Sequence, residues 1–143
     1  MQNTIENLPT GTKIIFFDGV CNLCDNFVQL IIKNDSKRVF RFASLQNTFA
    51  QEYLSEQGIS TQNLDSIILF EPNKAYYIKS TAALYILKEL NTPYKFFYAF
   101  KFLPEKLRDL IYDLVAKNRY KWMGKKDSCM VPNHDTKDLF IDF

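Results

Sequence analysis

Hydrophobic and polar positions change period several times along the chain, and each change marks an element. KIIFFDG (13–19) is a continuous apolar run rich in Ile and Phe with a glycine at either end, the pattern of a strand buried on both faces. From Cys21 to about Lys33 the period turns helical. Leu23, Phe27, Leu30 and Ile31 recur on one face, widened by Val28 and Ile32. RVFRFASL (38–45) alternates, setting Phe40 and Phe42 against Val39, Arg41 and Ala43, and predicts a second strand. Asn47 to Gln57 predicts a polar amphipathic helix with Phe49, Tyr53 and Leu54 inward and Gly58 as its stop. SIILFEPNKAYYIKS (66–80) predicts two strands joined at Pro72-Asn73, and Ser80 or Thr81 suits the N-cap of a helix through AALYILKEL.

The order β-α-β-α-β-β-α, with a parallel first pair and a closing hairpin, predicts a fold class. It is α/β and thioredoxin-like, a central mixed sheet of about four strands flanked by helices. From Pro93 onward two further helical stretches are expected, YKFFYAFKFL and PEKLRDLIYDLVAKN. The second has Pro104 at its first turn and Leu107, Leu110, Ile111 and Leu114 inward. Phe96, Phe97, Phe100 and Phe102 read as core, although a stretch this aromatic also suits a partner or a bilayer surface. Residues 1–143 are expected to form a single thioredoxin-like domain, with its core at about 13–92 and an added C-terminal helical segment at about 93–130.

Composition narrows the function classes. With 143 residues, 47% hydrophobic and 24% charged, the chain has the makeup of one folded domain with its own core. A net charge of +2 without a basic run argues against nucleic acid. MQNTIENLPTGTK lacks the features of a signal peptide, and the most apolar stretch is short and carries two lysines, so no membrane span is expected. These readings predict a cytoplasmic protein. In a reducing compartment, three cysteines are not a disulfide scaffold.

The candidate chemistry lies in FFDGVCNLCDNF (16–27). A strand that turns tightly into a helix would place Cys21 at the helix N-terminus, where free N–H groups and the dipole stabilise a thiolate. Cys24, one turn on, is expected to lie deeper beside Phe27, Val28 and Ile31. An exposed nucleophile followed by a sheltered resolving thiol suits thiol-disulfide exchange. Asp18 has two readings: a carboxylate that accepts or relays the proton of Cys24, or a brace for the turn at Gly19, the commoner role. Asp25, in the first turn, is favoured by the dipole and solvated.

Rival readings stay open at this point. Cys129 and His134 could complete a Cys3His zinc site with Cys21 and Cys24, although structural zinc pairs favour tight knuckles over the start of a long helix. Otherwise Cys129 is a buried small residue or a second resolving thiol, and His134 is surface. NRYKWMGKK (118–126) could serve a non-catalytic interaction module that binds an anionic partner. Its plainer reading is a helix end in which Arg119, Lys121, Lys125 and Lys126 suit the dipole, Tyr120 and Trp122 pack inward and Gly124 ends the helix. FFDG is not a haloacid dehalogenase motif, because Val20 stands where the second aspartate is needed.

DGVCNLC, FRFASLQ (40–46), DSIILF (65–70), KSTAALYIL (79–87) and LPEKLRDLIYDLVAKNRYKWMGKKDSC (103–129) together resemble the DCC family of thiol-disulfide oxidoreductases. The resemblance covers about residues 13–131, and DGxCxxC with the downstream NRYxWxGKxxxC is its specific signature. It implies a thioredoxin-like fold, a redox pair of Cys21 and Cys24, and Asp18 as the signature acid. The implied substrate is a protein or small-molecule thiol or disulfide, with a reductant to restore the dithiol and no cofactor. Two departures from thioredoxins stand out. Leu64-Asp65-Ser66 holds no proline where thioredoxins place a cis-proline for substrate docking, and Asn22-Leu23 lacks the proline common between their cysteines.

Overall fold

The first strand, β1 (Lys13–Phe17), is the middle of the protein, and its alternate side chains feed two cores. In the computed structural model, residues 7–59, 67–91, 93–124 and 134–141 are described. β1 is followed by α1 (Asn22–Asn34), β2 (Phe40–Ser44), α2 (Thr48–Glu56), β3 (Ile68–Glu71), β4 (Ala75–Ile78) and α3 (Lys79–Glu89). A 3-10 segment (Tyr94–Phe102) and α4 (Glu105–Met123) come next, and a short 3-10 turn (Lys137–Leu139) closes the described chain.

The sheet has the order β2-β1-β3-β4. β1 and β2 are parallel, with Ile15 opposite Phe42, while β1–β3 and β3–β4 are antiparallel. This mixed four-stranded sheet flanked by helices is the thioredoxin-like α/β arrangement that the sequence pattern predicts. Ile15, Phe17, Phe40, Phe42 and Leu69 pack on one face against Val28 and Ile31 of α1 and Ala82 and Ile86 of α3. Ile14, Phe16, Ala43, Ile68 and Phe70 pack on the other against Phe49, Ala50, Tyr53 and Leu54 of α2. β1 is therefore buried on both sides, as a central strand must be to read as a continuous apolar run. The chain end adds a strap: Phe140 pairs with Phe42, Ile141 N–H donates to Phe42 O at 2.8 Å, and Leu139, Phe140 and Ile141 are buried.

Three expectations about the helices are corrected. Ser80 and Thr81 do not cap α3, which starts at Lys79 with Ile78 before it; instead Asp109 of α4 accepts from Ser80 N–H at 3.3 Å and from its hydroxyl. Phe96, Phe97, Phe100 and Phe102 are not core, and are 67%, 45%, 48% and 78% exposed. Nor do Leu107, Leu110, Ile111 and Leu114 turn inward; all four are exposed. The reason is on the opposite face of α4. Asp109, Tyr112 and Arg119 bond Ser80, Ile67 and Asp18, so hydrogen bonding, not apolar burial, sets how this helix is rotated.

Candidate active site

The turn after β1 brings the two cysteines to the C-terminal end of the central strand. Cys21 is the N-cap of α1, with extended backbone (φ −90°, ψ 123°), and its Sγ accepts from Cys24 N–H at 3.3 Å. The sulfur thus occupies the place where a helix presents free amides and positive dipole. Both thiols are free and lie one helical turn apart.

Their exposure is the reverse of the expected order: Cys21 is fully buried and Cys24 partly exposed. The end of α4 lies across the start of α1, which the chain's local pattern gave no means of placing. Asn22 Nδ2 donates to Met123 O at 2.8 Å, and Asn22 N–H approaches Gly124 O at 3.4 Å. Burial pushes the Cys24 thiol well up, and the hydrogen bond and charge of Cys21 and the charge of Asp18 act the same way, against a smaller opposing effect of Arg119. Cys24 therefore holds its proton firmly.

Asp18 is bound on both carboxylate oxygens. Oδ1 accepts from Val20 N–H at 3.1 Å and Gln46 Nε2 at 2.7 Å; Oδ2 accepts from Arg119 Nη2 at 3.1 Å and from the Tyr120 hydroxyl. Burial alone would raise its pKa, but the bonds from Tyr120, Val20, Gln46 and Arg119 outweigh it and hold the carboxyl below the usual range. A carboxylate held this way is a poor proton acceptor. It is a fixed charge that braces the turn and acts on Cys24 through space.

Gly19 has a specific reason to be glycine. Its N–H donates to Gln46 Oε1 at 2.9 Å, and a Cβ there would sit 2.6 Å from Ser44 Oγ. Ser44 Oγ is itself tied to Gln46 Oε1 at 2.7 Å, so it has little freedom to yield. Gly19→Ala is expected to cost about 1–3 kcal/mol by overpacking. Denaturant unfolding checks this, with a wild-type midpoint as the contrary result.

Arg119 and Tyr120 are the main surprises of the site. Arg119 is buried, ion-paired to Asp18, and also donates to Ala116 O at 2.8 Å. It is not a solvated dipole partner. Tyr120 reaches Asp18 from a partly exposed position and Trp122 is 56% exposed, so neither packs inward as expected. Gly124 does end α4, with φ +86°. From the same helix, the Tyr112 hydroxyl accepts from Ile67 N–H at 2.9 Å, just before β3. Burial foremost pushes its pKa up to about 12, so it stays a neutral phenol.

Gln46, Tyr112, Arg119, Tyr120 and Asn22 are the site residues that local reading missed. Gln46, Arg119 and Tyr120 stand inside FRFASLQ and NRYxWxGKxxxC, so their signal was membership of a motif, with no local role to go with it. Of the expected partners, Cys21, Cys24 and Asp18 do come together. His134 is exposed, and Cys129 and Leu64-Asp65-Ser66 lie outside the described residues. Among the described residues, no group of three or more His, Cys, Asp or Glu could hold a metal ion. A cleft of about 870 Å³ opens at the other end of β1, lined by Leu8, Thr12, Pro72 and Tyr76 and by no cysteine.

The sequence profile described as DCC1-like thiol-disulfide oxidoreductase matches residues 15–125. The uncharacterized protein YuxK of Bacillus subtilis is 41% identical over 138 residues, 96% of this chain and 98% of its own. A chloroplastic DCC family protein of Arabidopsis thaliana is 38% identical over 117 residues, 81% of this chain and 67% of that protein. No solved structure matches significantly.

Proposed function

This chain belongs to the DCC1-like thiol-disulfide oxidoreductase family, and on that premise we propose that Cys21 and Cys24 are its redox pair, with Cys21 attacking and Cys24 resolving. The observation that carries the proposal is the position of the Cys21 sulfur, capping α1 and accepting from Cys24 N–H at 3.3 Å, while Cys24 holds its proton. The Cys21 thiolate attacks a substrate disulfide, forms a mixed disulfide and expels one substrate thiolate. Cys24 then loses its proton, and its sulfur attacks Cys21 Sγ, expelling the second substrate thiolate and leaving a Cys21–Cys24 disulfide. The substrate gains two electrons and the chain loses two, which an external thiol reductant restores.

Asp18 is the signature acid of this site as a charge, with Arg119 as its counter-ion; the proton of Cys24 leaves by another acceptor, such as solvent. Cys21 is buried, so its sulfur must become accessible before a substrate disulfide reaches it. Substrates are protein or small-molecule thiols and disulfides, and a cytoplasmic setting belongs to the same proposal. No helix among the described residues is long and apolar enough to cross a membrane.

Thiol titration of the native protein before and after mild oxidation tests the pairing. Two thiols are expected to disappear together, with peptide mapping locating the bond between Cys21 and Cys24. Loss of one thiol only, or a bridge to Cys129, would overturn it.

A further inference from the structure

The C-terminal helices present an apolar face to solvent. In α4, Leu107, Leu110, Ile111, Leu114 and Trp122 are 44%, 66%, 53%, 58% and 56% exposed, and at 100° per residue they form one stripe. The opposite side of the helix is the one bonded to the site. At the preceding corner, where Arg108 Nε donates to Leu103 O at 3.2 Å, the 3-10 segment adds four exposed phenylalanines, with Phe97 and Phe100 stacked at 6.1 Å. Scattered single apolar residues need no explanation, but five exposed apolar residues on one helix face, preceded in the chain by four exposed phenylalanines, do.

Charge says what covers it. Residues 94–123 carry seven Lys or Arg and three Asp or Glu, net +4, which leaves −2 for the rest of a chain whose total is +2. Lys106, Lys117 and Lys121 follow one border of the stripe, and Lys95 and Lys101 lie within the aromatic segment, which contains no acid. The aspartates of α4 are engaged elsewhere, Asp109 with Ser80 and Asp113 with Lys79 at 3.1 Å. Arg119 is buried against Asp18, but Lys95, Lys101, Lys106, Lys117 and Lys121 are exposed, so a second copy docked through this face would bring two lysine-rich surfaces together. An anionic bilayer instead takes up both features, since aromatic and aliphatic side chains enter the headgroup boundary while lysines meet phosphates.

We infer that the exposed α4 stripe, together with the exposed Phe96, Phe97, Phe100 and Phe102 of the segment just before it, docks peripherally on anionic lipid bilayers. It lies on the membrane and does not span it. The same helix that braces Asp18 from inside is thereby the one that faces the lipid, so docking would hold the redox site close to the bilayer surface.

The test uses the full chain with vesicles of phosphatidylcholine alone and of phosphatidylcholine mixed with phosphatidylglycerol. Trp122 is the one tryptophan of the sequence, so intrinsic fluorescence reads the stripe directly. Sedimentation with the mixed vesicles is expected, with a blue shift of Trp122 emission, quenching by brominated lipid, weaker binding to the neutral vesicles and release by salt. Phe96→Ser/Phe102→Ser and Leu110→Gln/Leu114→Gln should each lower partitioning by at least about tenfold while melting as wild type. Absence of both sedimentation and the Trp122 shift in the unmodified protein would overturn the inference without recourse to any variant. So would vesicle binding that both variants retain, or a dimer dispersed by Leu110→Gln/Leu114→Gln in a protein that ignores vesicles.

Discussion

Cys21→Ser is expected to lower disulfide reductase turnover by at least about a thousandfold, the scale of losing an attacking nucleophile. Serine cannot supply a thiolate, and no other group occupies the cap of α1. Cys24→Ser should behave differently. The first attack still occurs, but nothing resolves it, so the chain should accumulate as a mixed disulfide on the peptide that contains Cys21. Mass spectrometry after reaction with a small disulfide reads both outcomes. The pair of variants is informative because exposure and electrostatics point to different cysteines: Cys24 is the more accessible, whereas Cys21 has the helix amides and Cys24 is held protonated. Stable adducts on Cys24 in Cys21→Ser, with turnover retained, would assign the attack to Cys24 and reverse the proposed order.

Removing the arginine beneath the motif should have the largest effect on stability. Arg119→Met leaves the Asp18 charge in a site where the two side chains are only 7% and 11% exposed. Breaking one side of a buried pair costs about 3–5 kcal/mol, a fall in melting temperature of about 10 °C for a chain of this size. Arg119→Lys should recover part of this, since it restores the charge without the planar fork. The pH dependence separates this pair from simple packing. Asp18 titrates below its unfolded value of 3.8, so its contribution is complete above that value and is lost as pH falls through the lower folded pKa. Without Arg119 the folded pKa rises and the loss should begin at higher pH, while Asp18→Asn should lack this part of the acid limb. The uncompensated Asp18 charge should also hold the Cys24 proton more firmly and slow resolution of the mixed disulfide. A variant with wild-type melting, acid limb and resolution rate would remove Arg119 from the site.

Much of the central fold was legible because its signals are local. A strand buried on both faces must be apolar throughout, which is how KIIFFDG reads and how Lys13–Phe17 is built. Asn47 caps α2 through its side chain, and Gly58 follows it at φ +76°, both short-range necessities of a helix end. The placement of Cys21 at the start of α1 followed from the same reasoning. The C-terminal half was misread for a physical reason. Helical periodicity locates an apolar stripe but cannot say which way it faces, and the usual inference that it faces the core fails when the other face carries specific bonds. Arg119 read as a dipole partner at a helix end, and Tyr112 and Asp109 carried no signal, because their partners, Asp18, Ile67 and Ser80, are distant in sequence.

What the sequence determined by itself was therefore a mixed α/β core, a cysteine pair at a helix N-terminus and an aspartate in the turn before it. These depend on contacts within a few residues, or on a burial pattern that a single segment displays. Only the tertiary structure decided that α4 crosses the motif, that Arg119 neutralises Asp18, that Cys21 lies covered and Cys24 partly open, and that an aromatic face turns to solvent. Each of those depends on groups about 30 to 100 residues apart, as in the 101-residue separation of Asp18 and Arg119, and such pairings exist only once the chain has closed on itself.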